Sequence, residues 1–310
     1  MPGFGFPFAI FKNADAALAI GMRFTVLDTY LRFIPSPKHL VRIGLYADDP
    51  RPEDRSGYQI THDITAHPKQ FLAALTDELK VAERNKSRRN PIAQALSEHT
   101  RAEPSAVYLD GAMVKPQQFM QTLTAAVKGS DFIYMTESVW AFMRGISPRV
   151  QKPLRFGIVQ SFGCLGFSLP AAIGAAIAHP KLRVIGISGD GGFLFSCQEI
   201  ATAADNALAN LVYFIITNNQ FRNFYYTQQE LFAGRHIATS WKPIDFARVA
   251  EGFGAKGYTI SRPDEVEPTI ARVLSAPGPA IVSVITDSVP TPEEEMFVQK
   301  MKNTGALIGE

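Results

Sequence analysis

Two short apolar runs in the second half of the chain set the first expectation. Leu182-Arg183-Val184-Ile185-Gly186-Ile187-Ser188 is apolar almost throughout and stops at glycines, and Leu211-Val212-Tyr213-Phe214-Ile215-Ile216-Thr217 repeats the pattern. Runs without polar alternation mark strands buried on both faces of a parallel sheet. The stretch between them, including Gln198-Glu199-Ile200-Ala201-Thr202-Ala203, is helix-like. In the first half, Lys38 to Leu45 reads as a further parallel strand and Gln70 to Leu75 opens a helix. Residues 80 to 105 turn polar, with Lys80, Arg84, Lys86, Arg88, Arg89, Glu98 and Glu103, as an interdomain linker with a helical piece would. Strands alternating with helices imply an α/β fold.

Composition narrows the picture. A chain of 310 residues with 46% hydrophobic content can bury a full core and should form one to two domains. The basic cluster from Arg84 to Arg89 is short, is flanked by acids and sits in a chain of net charge +2, so no nucleic-acid partner is expected. Residues 1 to 11 are apolar, but Pro2, Pro7 and the missing basic start make a poor signal peptide, and the stretch is too short to span a membrane. Cys164 and Cys197 are too few for a disulfide framework or a zinc site. They are expected to be reduced core cysteines of a cytoplasmic protein. The six histidines show no metal spacing, and His236 is expected at an ordinary surface position rather than facing a substrate.

Candidate chemistry lies where the first apolar run ends. In Gly189-Asp190-Gly191-Gly192 the glycines are expected to allow positive φ and close approach of N–H groups to a phosphate, while a following helix aims its N-terminus at the same point. Asp190 supplies a hard oxygen ligand. The second run returns the chain to the same sheet edge, where the Asn219 amide oxygen completes a divalent-metal site. Oxygen-only ligation suits Mg²⁺ or Ca²⁺.

Gly-Asp-Gly, 26 intervening residues (192 to 217) and Asn218-Asn219 together resemble the signature of the thiamine-diphosphate enzymes, a superfamily that includes acetolactate synthase, benzoylformate decarboxylase and pyruvate oxidase. The resemblance implies thiamine diphosphate and Mg²⁺ as cofactors, with the metal held by Asp190, Asn219 and the backbone carbonyl of Phe221. A second block, Ser161-Phe162-Gly163-Cys164-Leu165-Gly166-Phe167-Ser168-Leu169-Pro170, is similar to the family segment that seats the aminopyrimidine. By that likeness Gly163 offers a carbonyl to the exocyclic amine, Cys164 lies beside it, and Leu165 is the bulky wedge beneath the bent cofactor. Gln220-Phe221 and Gln228 to Arg235 resemble acetolactate synthases, whereas Thr136-Glu137-Ser138 with leucine at the wedge looks more like benzoylformate decarboxylase. The reaction is left open between them. Glu137 could bound the cofactor pocket, although a strand-end glutamate is more often solvated or paired. The aromatic cluster Phe221, Phe224, Tyr225, Tyr226 and Phe232 suits either an active-site wall or helix packing.

The implied architecture is a doubly wound parallel sheet, the thiamine-diphosphate-binding fold, preceded by a partial Rossmann-like central domain. Asn13 to Phe24 resembles a central-domain segment in which a buried strand is closed by a glycine turn. The expected organisation is a partial central domain over 1–80, a linker over 81–105, a diphosphate-binding domain over 106–290 and a tail over 291–310. On this reading the chain begins inside the central domain, so the glutamate that activates the aminopyrimidine belongs to a pyrimidine-binding domain elsewhere and no catalytic residue can be named. The resemblance thus implies half of a 2-keto acid decarboxylase or carboligase, working as a homo-oligomer and with a separate pyrimidine-binding subunit. The competing reading is a noncatalytic binding or assembly paralogue.

Overall fold

The computed structural model describes residues 14–22, 36–46, 58–81, 112–137, 152–159 and 163–288, with Phe11, Phe24, Val150, Glu295, Val298, Gln299 and Lys302. Ser138, Ser161, Phe162, the expected linker from residue 82 onward and most of the first eleven residues lie outside them. The chain forms two compact units, 1–104 and 105–310.

In the first unit β1 (Ala16–Ile20), β2 (His39–Gly44) and β3 (His62–Thr65) pair in parallel in the order β1-β2-β3, and α1 (Pro68–Val81) follows β3. The strand expected over 38–45 and the helix opening near residue 70 are both present. Gly21 closes β1 with φ +65°, as a glycine turn requires. β1 was expected to be buried but is only partly so: Ala19 is inside while Leu18 is 42% exposed. A small cluster of Ala19, Phe24, Leu40 and Tyr58 supplies the apolar contacts. Arg42 is almost wholly buried and meets Asp63, its register partner on β3, through two bonds of 2.9 and 3.2 Å. Removing Asp63 would leave the buried Arg42 guanidinium without this partner at a cost of about 3 kcal/mol, whereas Asp63 itself is partly exposed and would be solvated without Arg42.

The second unit contains α2 (Pro116–Ala126), β4 (Phe132–Thr136), β5 (Phe156–Ile158), α3 (Ser168–Ala178), β6 (Arg183–Gly189), α4 (Asp190–Phe193), α5 (Glu199–Asp205), β7 (Leu211–Thr217), α6 (Arg222–Leu231), α7 (Phe246–Gly252), β8 (Lys256–Ile260), α8 (Val266–Ser275) and β9 (Ala280–Ile285). Its six strands lie in the order β5-β4-β6-β7-β9-β8, every pair parallel. Both faces are covered, because side chains alternate along each strand. Val212, Phe214 and Ile216 of β7 join α2 and α8 on one side, while Leu211, Tyr213 and Ile215 join α3, α5 and α7 on the other. This is the doubly wound sheet. All seven β7 residues are buried, as the unbroken apolar run requires. Phe214 meets Phe119 edge to face at 5.1 Å. Burying each such side chain contributes about 1.5–3 kcal/mol. Further along, Val298 is buried and Lys302 pairs with Glu230 at 2.9 Å.

The topology positions the site. From β4 the chain leaves to β5 on one side and then returns to build β6 on the other, so the strand order reverses between β4 and β6. In open parallel sheets, ligands settle outside the carboxyl ends of the strands at such a reversal.

Two glycines are needed here for space rather than conformation. A Cβ on Gly186 would fall 2.2 Å from the Tyr213 ring, and one on Gly257 would fall 2.1 Å from the Ala247 carbonyl oxygen. The second clash is with backbone, which cannot swing aside. Gly257→Ala should therefore destabilise the second unit by about 1–3 kcal/mol, read as a lower denaturation midpoint with an unchanged denaturant slope.

Candidate functional site

Three strands deliver four polar residues to one sheet edge. β4 ends at Thr136, placing Glu137 next; β6 ends at Gly189, placing Asp190 next; β7 ends at Thr217, placing Asn218 and Asn219 next. Because the strands are parallel neighbours, these ends lie together. A cavity of about 100 Å³ opens there, with Glu137, Leu165, Asp190, Gly192, Asn218 and Phe221 in its wall.

Asp190 is buried, and backbone donors hold its carboxylate. Gly191 N–H donates to Oδ1 at 3.0 Å, and the N–H groups of Asn218 and Asn219 donate to Oδ2 at 3.0 and 2.5 Å. Burial nevertheless outweighs these donors and lifts the carboxyl from its ordinary 3.8 to about 6. The sign follows: a carboxyl raised in the folded state weakens the cation-free fold as pH climbs between those two values, and the loss is complete above about 6. A neighbouring cation would remove that cost. The side-chain Oδ1 atoms of Asn218 and Asn219 are also buried, and neither has a partner. A buried acceptor left unpaired costs about 1–3 kcal/mol. One carboxylate and two orphaned amide oxygens on a single edge form a hard-oxygen set that fits a Mg²⁺-like cation. Among the described residues no group of three His, Cys, Asp or Glu could hold a metal, so the donors here are amide and carbonyl oxygens around one acid. The Phe221 carbonyl is already engaged, accepting the Tyr225 N–H at 2.8 Å in the first turn of α6; its second lone pair remains for a cation.

The glycines differ from expectation. Gly189 has φ −76°, and neither Gly191 nor Gly192 adopts positive φ. Their role is room: a Cβ on Gly191 would meet the Phe221 ring at 2.5 Å, and one on Gly192 would meet Glu137 Oε1 at 2.1 Å. The left-handed residues are Asn219, with φ +59°, and the upstream Gly163 and Gly166, with φ +65° and +83°. Asparagine tolerates that region better than most residues. The helix expected after the glycines is a single turn, α4, and α5 starts only at Glu199. Paired glycines are poor helix formers and do not extend the turn.

Leu165 stands in the cavity wall with 39% of its surface exposed. Cys164 is an exposed free thiol and Cys197 a half-buried one. Cys164 is therefore not the core cysteine expected, whereas Cys197, although only half-buried, packs against the core cluster that holds Phe193 and Ile200. His236 is exposed, stacked on Tyr225 at 3.9 Å and bonded to Gln229 at 3.0 Å. Of the aromatic cluster, Phe221 is the hub, meeting Trp241 at 5.1 Å and Phe224 at 6.5 Å. Phe224 is 61% exposed, and Arg222 is the residue α6 buries.

Glu137 has a larger place in the site than its strand-end position implied. It is buried, its pKa is raised chiefly by that burial, and its Oε2 accepts the Ser168 N–H at 2.9 Å. Gln220 and Arg222 also line the cavity. The signal for these two was their place directly after the asparagine pair.

Comparison with known proteins agrees with this geometry. Residues 139–284 match the family model for the thiamine pyrophosphate enzyme C-terminal TPP-binding domain, thiamine pyrophosphate being another name for thiamine diphosphate. Residues 139–284 thus belong to the thiamine-diphosphate enzyme superfamily. The chain is 33% identical over 150 residues to acetolactate synthase isozyme 1 large subunit of Escherichia coli, covering 48% of this chain and 26% of that protein. It is 28% identical over 295 residues to a probable acetolactate synthase large subunit of Methanocaldococcus jannaschii, covering 89% of this chain and 47% of that one. With the acetolactate synthase of Bacillus subtilis the identity is 35% over 139 residues, 45% of this chain and 24% of that one. The chain therefore spans less than half the length of each of these relatives. Membership implies thiamine diphosphate with Mg²⁺ as the cofactor pair, which the buried oxygen donors fit.

The left-handed turn at Asn219 can be tested apart from any ligand. Asn219→Gly preserves the turn, whereas Asn219→Ala places a Cβ in the left-handed region, so the alanine variant should be less stable than the glycine variant by about 1 kcal/mol. Chemical denaturation without added metal reads the difference.

Proposed function

We propose that this domain holds thiamine diphosphate through a divalent cation and serves 2-keto acid decarboxylation, with or without ligation of the product to a second carbonyl compound, in the manner of acetolactate synthase. The observation that carries the proposal is the buried Asp190 carboxylate beside two unpartnered amide oxygens at the reversal point of the sheet. In this reading Asp190, the Asn219 side chain and the Phe221 carbonyl hold Mg²⁺. Gly189, Gly191 and Gly192 border the diphosphate: Gly189 leaves open space beside it, and Gly191 and Gly192 let the Phe221 ring and Glu137 pack close to the same turn. Gly163, Cys164 and Leu165 form the turn against which the aminopyrimidine rests. When bound, thiamine diphosphate supplies the electron sink for loss of carbon dioxide. The protein's residues orient it and keep water from one side of it.

In this reading the two carboxylates in the cavity wall have other work: Asp190 faces the cation site, and Glu137 accepts the Ser168 N–H through one oxygen while the other lies against Gly192. Polarising the aminopyrimidine needs a further carboxylate within hydrogen-bond reach. We place that carboxylate in a pyrimidine-binding domain, whether further along a longer polypeptide, in a second copy or in a separate subunit. Assembly suits the surface: Phe195, Phe224, Phe232 and Ile237 are each exposed, and large apolar side chains gain from burial against a partner. A homo-oligomer, with or without a second kind of subunit, is therefore part of the proposal. So is a cytoplasmic setting, which suits two free thiols. Among the described residues no helix is long and apolar enough to cross a membrane.

Calorimetry tests the cation assignment. Wild-type protein should bind thiamine diphosphate in a Mg²⁺-dependent manner, and Asp190→Ala should abolish that dependence; equal binding by both would refute it. A second test is turnover. A polypeptide of these 310 residues alone should not decarboxylate pyruvate, and added pyrimidine-binding domain should restore the reaction. Turnover by the pure polypeptide at an ordinary enzymatic rate of about 1 per second or more would show that it holds its own activating carboxylate.

A further inference from the structure

Glu137 ties together three loops that the cofactor reading treats separately. It follows β4, its Oε2 accepts the Ser168 N–H at 2.9 Å, and the N–H groups of Gly166 and Phe167 also face its carboxylate. Those donors belong to the turn that carries Leu165 and to the start of α3. That helix has no side-chain cap of its own, so Glu137 stands in as a cap delivered from another strand. Ser168 is gripped from the opposite direction too, its Oγ lying 2.5 Å from the buried Tyr213 hydroxyl of β7. On its other side Glu137 Oε1 is buried and unpartnered, and it occupies the space that a Cβ on residue 192 would need. The carboxylate is thus a spacer. It touches the turn bearing Leu165 on one side and the turn bearing Asp190 and Gly192 on the other.

We infer that Glu137 is a positioning residue that sets the distance between the Leu165 turn and the Asp190–Gly192 turn, and so matches the pocket to the whole of thiamine diphosphate rather than to its diphosphate alone. The inference rests on the cofactor reading above. Its logic is geometric: a diphosphate with its cation needs only the Asp190 and Asn219 side of the cavity. A ligand that also rests on Leu165 needs both turns at a fixed separation, and losing a supporting residue of this kind typically weakens binding about 10–100-fold.

Calorimetry on the full chain with two probes separates these cases, one being thiamine diphosphate with Mg²⁺ and the other inorganic pyrophosphate with Mg²⁺. Glu137→Leu fills the volume but accepts nothing; it should bind thiamine diphosphate at least about tenfold more weakly while its pyrophosphate affinity stays close to wild type. Glu137→Gln keeps one acceptor oxygen for the Ser168 N–H and should rescue thiamine diphosphate binding. Should the leucine variant fail to fold, Glu137→Asp, shorter by one methylene, should show the same selective loss in milder form. Unchanged thiamine diphosphate affinity in the leucine variant, or in the aspartate variant where that one is used, would overturn the inference. So would an equal loss of both probes, or a glutamine variant as weak as the leucine one. Wild-type protein that takes no thiamine diphosphate would overturn the cofactor reading and this inference with it.

Discussion

The arrangement at the strand ends depends on one constraint: a carboxylate is held inside the protein at the point where the sheet reverses direction. Asp190 is buried at the end of β6, and three N–H groups from two different loops converge on it. Two of those donors come from the chain leaving β7, so the carboxylate also fixes where Asn218 and Asn219 point. Burial still raises its pKa, which means that backbone donors alone do not replace the lost hydration. An arrangement short of positive charge by that margin is poised for a cation. The orphaned amide oxygens beside it carry the same message in neutral form.

That polar cluster is tolerable because its support is apolar and continuous. β6 and β7 pair over six registers and are packed from both faces, with Phe214 and Ile216 on one side and Tyr213 and Ile215 on the other. A rigid sheet sets the strand ends, and the strand ends set the donors. Gly186 belongs to the same logic, since its missing side chain is where the Tyr213 ring lies. Tyr213 in turn reaches Ser168, which connects the middle of the sheet to the start of α3 and to Glu137.

Much of this was legible in the sequence, and the part that was not has a physical cause. β7 is visible because burial on both faces leaves no polar position along it, and β6 because its run stops at glycine. The meeting of Asp190 with the asparagine pair was visible because both apolar runs end at one edge of a parallel sheet. The conformations of the glycines were not. Sequence reports that a Cβ is missing without distinguishing a need for positive φ from a need for space, and here Gly191 and Gly192 serve the second need. Burial of Cys164 was misjudged for a related reason, since apolar neighbours in sequence do not show that its side chain is exposed, while Cys197 reaches the core only at its edge. Glu137 was only half legible. Its worth comes from donors about 30 positions away, on the turn before α3, and no local pattern records a contact of that range.

The distribution of exposed apolar surface completes the physical picture. A cavity meant only for a diphosphate and its cation would need polar walls, yet this one is continued outward by Leu165 and by the Phe221 and Phe224 rings. Phe224 and Ile237 keep most of their surface in water, an unfavourable state that further packing would relieve. The polar end of the site is therefore nearly complete within this domain, while the apolar end is open. A ligand with a charged tail and an aromatic body would satisfy the first end directly, and would leave its body for a second apolar surface to cover. On the proposed function, an activating carboxylate carried by that second surface would let one assembly step both close the apolar wall and bring the group to the ligand.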